Sequence, residues 1–278
     1  MISVSDMIYG MHAAAEVRQD EYLDGATGLI CCRACGTPRQ KRLTLEGKVY
    51  QPRTLCRCQQ DRQEAEEAAR RLQEQEETVR RLRHTGLPDA MLWNCTFEND
   101  RGINPEMEKI RRYTDQWEQM YSRSIGLLLT GGVGTGKTYM AACAANALID
   151  RGIPVLMTNL ARVLNTLTAL YSGDRNRYID DLNRYPLLIL DDLGMERSSE
   201  FAMEQVYSVI DSRYRSGQPL IVTTNLTLEE MHNPVDMARG RIYSRVLERC
   251  VPIRINRENI RKRNATENLA EARKLLGA

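Results

Sequence analysis

The 278-residue chain has no stretch of about 18 consecutive apolar residues, the length that a membrane-spanning helix needs. No membrane span is therefore expected. It also lacks a basic start followed by an apolar segment, since it opens Met1-Ile2-Ser3-Val4-Ser5-Asp6. A secretory signal is not expected, and the chain reads as cytoplasmic. A large excess of one charge is missing too: 39 Lys and Arg stand against 37 Asp and Glu, a formal net charge of +2. The whole chain is no polycation, so any nucleic-acid surface has to be a local patch. No internal repeat is visible. What remains is a chain with 42% hydrophobic residues, enough for a core, and eight cysteines. Without a secretory context those cysteines read as reduced thiols or metal ligands rather than disulfides.

Residues 131 to 138 read Gly-Gly-Val-Gly-Thr-Gly-Lys-Thr, which fits G-x-x-x-x-G-K-[ST], a phosphate-binding loop. A glycine-rich turn with a chance lysine is the plain alternative. The flanks argue against it: Ile125 to Thr130 is short and apolar like a buried strand, and Tyr139 to Asp150 has no Gly or Pro, like a helix. Glycines let the loop curl its amides inward, and the helix N-terminus adds positive potential. Lys137 is expected to reach the β- and γ-phosphates of ATP, and the Thr138 hydroxyl to ligate Mg²⁺. The nucleotide-binding segment is expected to comprise Gly131, Gly132, Val133, Gly134, Thr135, Gly136, Lys137, Thr138 and Tyr139.

Apolar runs at 125–130, 153–158, 187–191, 220–224 and 251–255 alternate with helical stretches. That alternation predicts an α/β domain with a parallel sheet whose ligand lies at the carboxyl ends of the strands. The run Leu187-Leu188-Ile189-Leu190 ends in Asp191-Asp192. Two acids there are costly unless a cation or donors satisfy them. Asp191 is expected to hold Mg²⁺ and Asp192 to orient or deprotonate water; a turn that merely ends the strand is the alternative. Leu220-Ile221-Val222-Thr223-Thr224 ends in Asn225, a candidate for the water or the γ-phosphate, or simply a turn residue.

Arg241, Arg245 and Arg249 recur every four residues and would share one helix face, with Ile242, Val246 and Cys250 inward. Three uses fit such a row: reaching a neighbouring subunit's γ-phosphate, holding nucleic-acid phosphates, or plain solvation. From Arg239 to Arg263 there are nine basic residues against Glu248 and Glu258.

Upstream, the chain divides into a cysteine-rich zone (1–58), a charged zone (59–86) and the α/β zone (87–278). The charged zone reads as a helix with Glu66–Arg70, Glu67–Arg71, Glu76–Arg80 and Glu77–Arg81 at i,i+4 spacing. Its thin apolar stripe (Ala65, Ala68, Leu72, Val79, Leu82) suits a solvated connecting helix better than a coiled coil or a docking helix. Cys32-Arg33-Ala34-Cys35-Gly36 has knuckle spacing, and Cys56-Arg57-Cys58 supplies a tighter second pair. Cys32, Cys35, Cys56 and Cys58 are expected to bind Zn²⁺, with Cys31, His12 or His84 as possible substitutes for one ligand. Unligated cysteines in a flexible arm are the alternative. Cys95, Cys143 and Cys250 read as small apolar residues.

The order phosphate loop, Leu-Leu-Ile-Leu-Asp-Asp-Leu-Gly, Val-Thr-Thr-Asn and Arg-Ile-Tyr-Ser-Arg resembles the AAA+ ATPases of the DnaC/DnaI helicase-loader family, over about residues 87 to 265. IstB-type transposition helper ATPases look similar. The resemblance implies an AAA+ core with a five-stranded parallel sheet, binding ATP with Mg²⁺ and self-associating. It implies that Lys137 and Thr138 are Walker A, Asp191 and Asp192 Walker B, and Asn225 sensor 1. It implies that Arg245 is the arginine finger, with Arg241 in reserve, and that Arg261 resembles sensor 2. Asp192 stands where most AAA+ proteins carry Glu, which suggests slow hydrolysis. The short run after the last strand suggests no helical lid domain. A cysteine-rich N-terminal region resembles loaders more than IstB-type helpers. The expected partners are then a replicative hexameric DNA helicase and single-stranded DNA. A transposase helper and an ATP-switched DNA-binding adaptor with little hydrolysis are the alternatives.

Overall fold

A computed structural model describes residues 16–194, 199–256 and 259–276; some side chains of the last helix, Arg261 among them, lie outside the described ones. The chain forms two compact units, Met1–Glu76 and Glu77–Ala278. The boundary falls inside one helix, α1 (Arg57–Gly86), rather than at either end of the charged zone.

The first unit is made of very short pieces. Strands β1 (Glu21–Leu23) and β2 (Ile30–Cys32) pair antiparallel, as do β3 (Leu43–Leu45) and β4 (Lys48–Tyr50). Its buried apolar residues are few, chiefly Ile30, Cys31, Cys32 and Cys56. A core that small contributes little, so polar and sulfur groups have to carry the fold. On α1, Arg71 pairs with Glu67 at 3.9 Å, and Arg70 turns forward to Glu74 at 3.7 Å. Leu72 is exposed, as a solvated helix predicts, whereas Val79 and Leu82 pack on the core of the second unit. That end of the helix is not a free connector.

The second unit is a five-stranded, all-parallel sheet in the order β6–β7–β8–β5–β9. Its strands are β5 (Gly126–Gly131), β6 (Val155–Asn159), β7 (Leu187–Leu193), β8 (Leu220–Thr224) and β9 (Cys250–Ile255). Alternation decides which layer each side chain enters. Leu127, Leu129, Leu187 and Ile189 join one cluster with α2 (Met107–Asp115) and α4 (Lys137–Asp150). Leu128, Leu188, Leu190 and Val222 join the other, with α5 (Leu160–Ala169), α7 (Glu200–Ser216) and α9 (Met237–Arg249). The other α-helices before β9 are α3 (Trp117–Ser122), α6 (Ser172–Leu182) and α8 (Leu228–His232).

Local signals fix the helix ends. Ser199 caps α7 by accepting from the Ala202 amide, and Gly217 ends it at φ 68°. Thr227 and Glu230 form a capping box on α8. Gly86 ends α1 where a Cβ would stand 2.0 Å from the Val155 carbonyl oxygen, so no other residue fits there without movement. After β9 the described residues hold one helix, α10 (Ile260–Leu276). None of the described helices is long and apolar enough to cross a membrane.

Candidate nucleotide site and cysteine cluster

Strand β5 delivers residues 131–136 to the N-terminus of α4, which Lys137 opens. Gly134 (φ 77°) and Gly136 (φ 98°) take left-handed conformations that L side chains resist, and this gives the loop its curl. The Ile260 amide donates to the Gly134 carbonyl at 2.8 Å, so the start of α10 rests on the loop. Lys137 is nearly buried, and its ammonium donates to Gly131 O (2.9 Å), Gly132 O (2.8 Å) and Asn225 Oδ1 (2.7 Å). Asn225, at the tip of β8, is thus brought to the loop lysine.

Thr138 Oγ1 lies 3.0 and 3.1 Å from the two carboxylate oxygens of Asp191. Burial raises the Asp191 pKa, with a further push from Asp192, while the Thr223 and Thr138 hydroxyls and Lys137 act against it. Where β7 leaves β8, the register jumps between Leu190 and Leu193, and Asp192 adopts φ 59°. This bulge turns Asp192 into the open while Asp191 stays inside. Thr223 holds the arrangement: its hydroxyl donates to Asp191 Oδ1 at 2.6 Å and accepts the Asp192 amide at 2.9 Å. Thr223 was not singled out from the sequence; its place one position before the end of an apolar run is the signal that could have found it.

These groups open on a cavity of about 980 Å³. Residues 133–140, Asp192, Asn225 and Ile260 line it together with Met91, Asn94, Asn104 and Met107. Tyr139 donates its hydroxyl to Thr96 O at 3.1 Å and so ties the lysine helix to the segment that follows Asn94. The residues present fit a magnesium nucleotide. The Thr138 hydroxyl and the Asp191 carboxylate form an all-oxygen pair suited to a hard cation, that carboxylate is desolvated, and the loop carries a lysine and left-handed glycines.

The arginine row is less uniform than its spacing. Arg245 is held within the chain: Nε donates to Asp211 Oδ1 at 2.6 Å, and a terminal nitrogen donates to the Tyr207 hydroxyl at 2.8 Å. Its guanidinium also lies 4.7 Å from the Tyr207 ring centre. Arg249 covers the Tyr214 ring at 4.7 Å, and only Arg241 is fully exposed. The inward set (Ile242, Val246, Cys250) is buried. The side chain of Arg261 lies outside the described residues.

In the first unit, Cys32, Cys35, Cys56 and Cys58 converge, with all four sulfurs within 4.8 Å of one another. Cys32 and Cys58 are 3.7 Å apart, Cys56 and Cys58 3.3 Å. A tetrahedral Zn–S site has sulfurs about 3.8 Å apart, so four thiolates in this arrangement fit a metal. Crowding couples their protons: the Thr37 hydroxyl, first among several donors, draws Cys35 down, whereas its sulfur neighbours, Cys56 first, push Cys58 up. Cys31 lies next to Cys32 on β2, and strand alternation sends its side chain to the other face. His84 packs edge-on against Trp93 in the second unit, and His12 lies outside the described residues. Cys143 and Cys250 are buried as small apolar groups.

A family model described as IstB-like ATP binding protein matches residues 61–268. The chain belongs to the IstB-like ATP-binding protein family. ATP binding goes with that membership. Among curated relatives, the replicative helicase loader DnaC of Escherichia coli (strain K12) is 28% identical over 145 residues, 50% of this chain and 58% of that protein. The chain thus spans little more than half the length of that relative. The phage-like element PBSX protein XkdC of Bacillus subtilis (strain 168) is 28% identical over 207 residues, 71% of each. Among solved structures, that of the DnaC helicase loader superposes with a TM-score of 0.52 at 23% identity, covering 60% of this chain and 99% of that one. This likeness shows a shared fold.

Proposed function

We propose that this chain is an ATP-dependent loader of a replicative DNA helicase. The observation that carries the reading is the kinship with a protein named replicative helicase loader, in a chain whose Thr138 bonds Asp191 beside a cavity lined by Lys137 and Asp192. In this reading residues 1–58 and the following helix engage the helicase, and residues 87–278 form the ATPase domain. Lys137 exchanges its bonds to Gly131, Gly132 and Asn225 for the β- and γ-phosphates, which Gly131 to Tyr139 surround. Thr138 and Asp191 hold Mg²⁺. When bound, the cation offsets the charge of the phosphates. Asp192 orients the attacking water from the open side of the bulge, and Asn225 positions it. Turnover is slow and rises on assembly or on single-stranded DNA, because Asp192 is one methylene shorter than Glu.

Self-association uses the α9 face. Arg245 is the finger if Asp211 releases it, Arg241 is the exposed reserve, and Arg261 follows at α10. Cys32, Cys35, Cys56 and Cys58 hold Zn²⁺ as a fold-stabilising ion. The basic excess between Arg239 and Arg263 supports contact with single-stranded DNA. The chain works in the cytoplasm.

A pull-down with the host's hexameric helicase tests the reading. Capture in ATP that is lost in Lys137→Ala is expected. Lys137→Ala should weaken ATP binding by about tenfold or more, since a charged hydrogen bond contributes some 1.5–3 kcal/mol. Unchanged ATP affinity sinks the site, and co-purification with a transposase in place of a helicase sinks the loader reading.

A further inference from the structure

We propose that Arg39 is the positioning residue of the four-cysteine cluster, binding its two halves together and offsetting its negative charge. The proposal rests on the reading of those cysteines as metal ligands. The halves are local turns far apart in sequence. Cys32 and Cys35 sit on a knuckle in which the Gly36 amide donates to Cys32 O at 2.8 Å and the Cys32 amide to Thr37 O at 3.0 Å. Cys56 and Cys58 sit at the start of α1. Arg39 reaches both. Its amide donates to Ile30 O on β2 at 2.7 Å, and its carbonyl accepts from the Thr54 amide at 2.7 Å, two residues before Cys56.

The side chain reaches the cluster as well. It is buried, and one terminal nitrogen donates to Cys32 Sγ at 3.5 Å. The other terminal nitrogen donates to Asp20 Oδ2 at 2.7 Å and Glu21 Oε1 at 3.0 Å. Glu21 is fully buried and takes a second arginine, Arg53, at 2.6 Å. A buried guanidinium is thus clamped by carboxylates on one side and turned toward sulfur on the other. Four thiolates around a divalent ion carry a net charge of −2, which is costly in a unit with so little core. A planar cation with several N–H groups can donate to a ligating sulfur while remaining paired to acids. A lysine cannot make that fork. Donation to a ligating sulfur also lowers its lone-pair energy, so Arg39 should leave a spectroscopic mark as well as a change in affinity.

The test loads the full chain with Co²⁺ in place of Zn²⁺. It compares wild type, Arg39→Met, Arg39→Lys and Cys35→Ser, with far-ultraviolet circular dichroism and ATP binding as controls on folding. Arg39→Met should bind Co²⁺ about 10–100-fold more weakly. Its thiolate-to-cobalt charge-transfer band should move to longer wavelength, and Arg39→Lys should fall between it and wild type. A role in folding alone would weaken loading without moving the band of the protein that does load. Wild-type band and affinity in Arg39→Met overturn the proposal. If Arg39→Met fails to fold, Arg39→Lys decides in the same way: a shifted band supports the proposal and an unshifted one overturns it. A different result marks failure of the metal reading itself: wild type then shows no tetrathiolate cobalt spectrum, or Cys35→Ser matches it.

Discussion

The two units of this chain reach order by opposite means. The unit from Glu77 onward has a sheet with an apolar layer on each face, and residues such as Leu128, Leu129 and Ile189 are completely buried. Each such side chain contributes about 1.5–3 kcal/mol by leaving water. The unit before it has three-residue strands and almost no apolar interior. Its most protected described groups are Glu21, Cys32 and Cys56, and Arg39 is buried beside them. One unit is held by non-directional burial spread over many residues. The other depends on a few directional bonds, so it should fail abruptly when one is removed.

Metal removal should give the largest contrast. Chelation, or Cys35→Ser, should unfold the first unit while the sheet unit stays folded, because structural Zn²⁺ contributes on the order of 10 kcal/mol to such domains. Amide exchange at residues 21–32 reads the first unit. Fluorescence of Trp93 and Trp117, the two tryptophans of the chain, reads the second. Simultaneous loss of both signals would break the comparison. Next in size, Leu128→Ala should cost the sheet unit about 2–5 kcal/mol in denaturant unfolding and leave metal content unchanged.

Acid should separate the units further. Glu21 is held well below the usual carboxylate value of 4.5, at about 2, chiefly by its bond from Arg53. Its stabilising contribution is complete above the usual value and disappears as pH falls from there toward about 2. Asp191 runs the other way. Burial has raised its pKa, so protonation relieves the sheet unit, and the relief is lost as pH rises through the raised value. Protection factors at residues 21–32, corrected for the intrinsic pH dependence of amide exchange, should therefore fall on acidification before the tryptophan signal changes. The smallest effect is expected from Asp191→Asn. It removes a desolvated charge and should raise the Tm of the nucleotide-free sheet unit slightly. A lower Tm in that variant would show that the hydrogen bond from Thr223 outweighs desolvation.

The same contrast explains what could be read from sequence. Buried parallel strands are near-continuous apolar runs, so the runs at 187–191 and 220–224 were plain, and the glycines of the loop stood out by composition. Strands β1–β4 are too short to show a period, and polar pairs between distant residues place them. The meeting of Cys32 and Cys35 with Cys56 and Cys58 was legible as spacing, but Arg39, Glu21 and Arg53 were not, because nothing local marks a buried ion pair. At the nucleotide site, residue types were legible and partnerships were not. The ties from Lys137 to Asn225 and from Arg245 to Asp211 span 88 and 34 positions. The bulge at Asp192 depends on the neighbouring strand and has no signature in its own.

Thr223 gives its one proton to the carboxylate of Asp191 and receives another from the main chain of Asp192. A single bond rotation in one small side chain therefore sets the direction of an acid and the bend beside it together. Turning that hydroxyl would disturb the half-buried Asp191 and the open-side carboxylate in one movement, and neither could be retuned while the other kept its place.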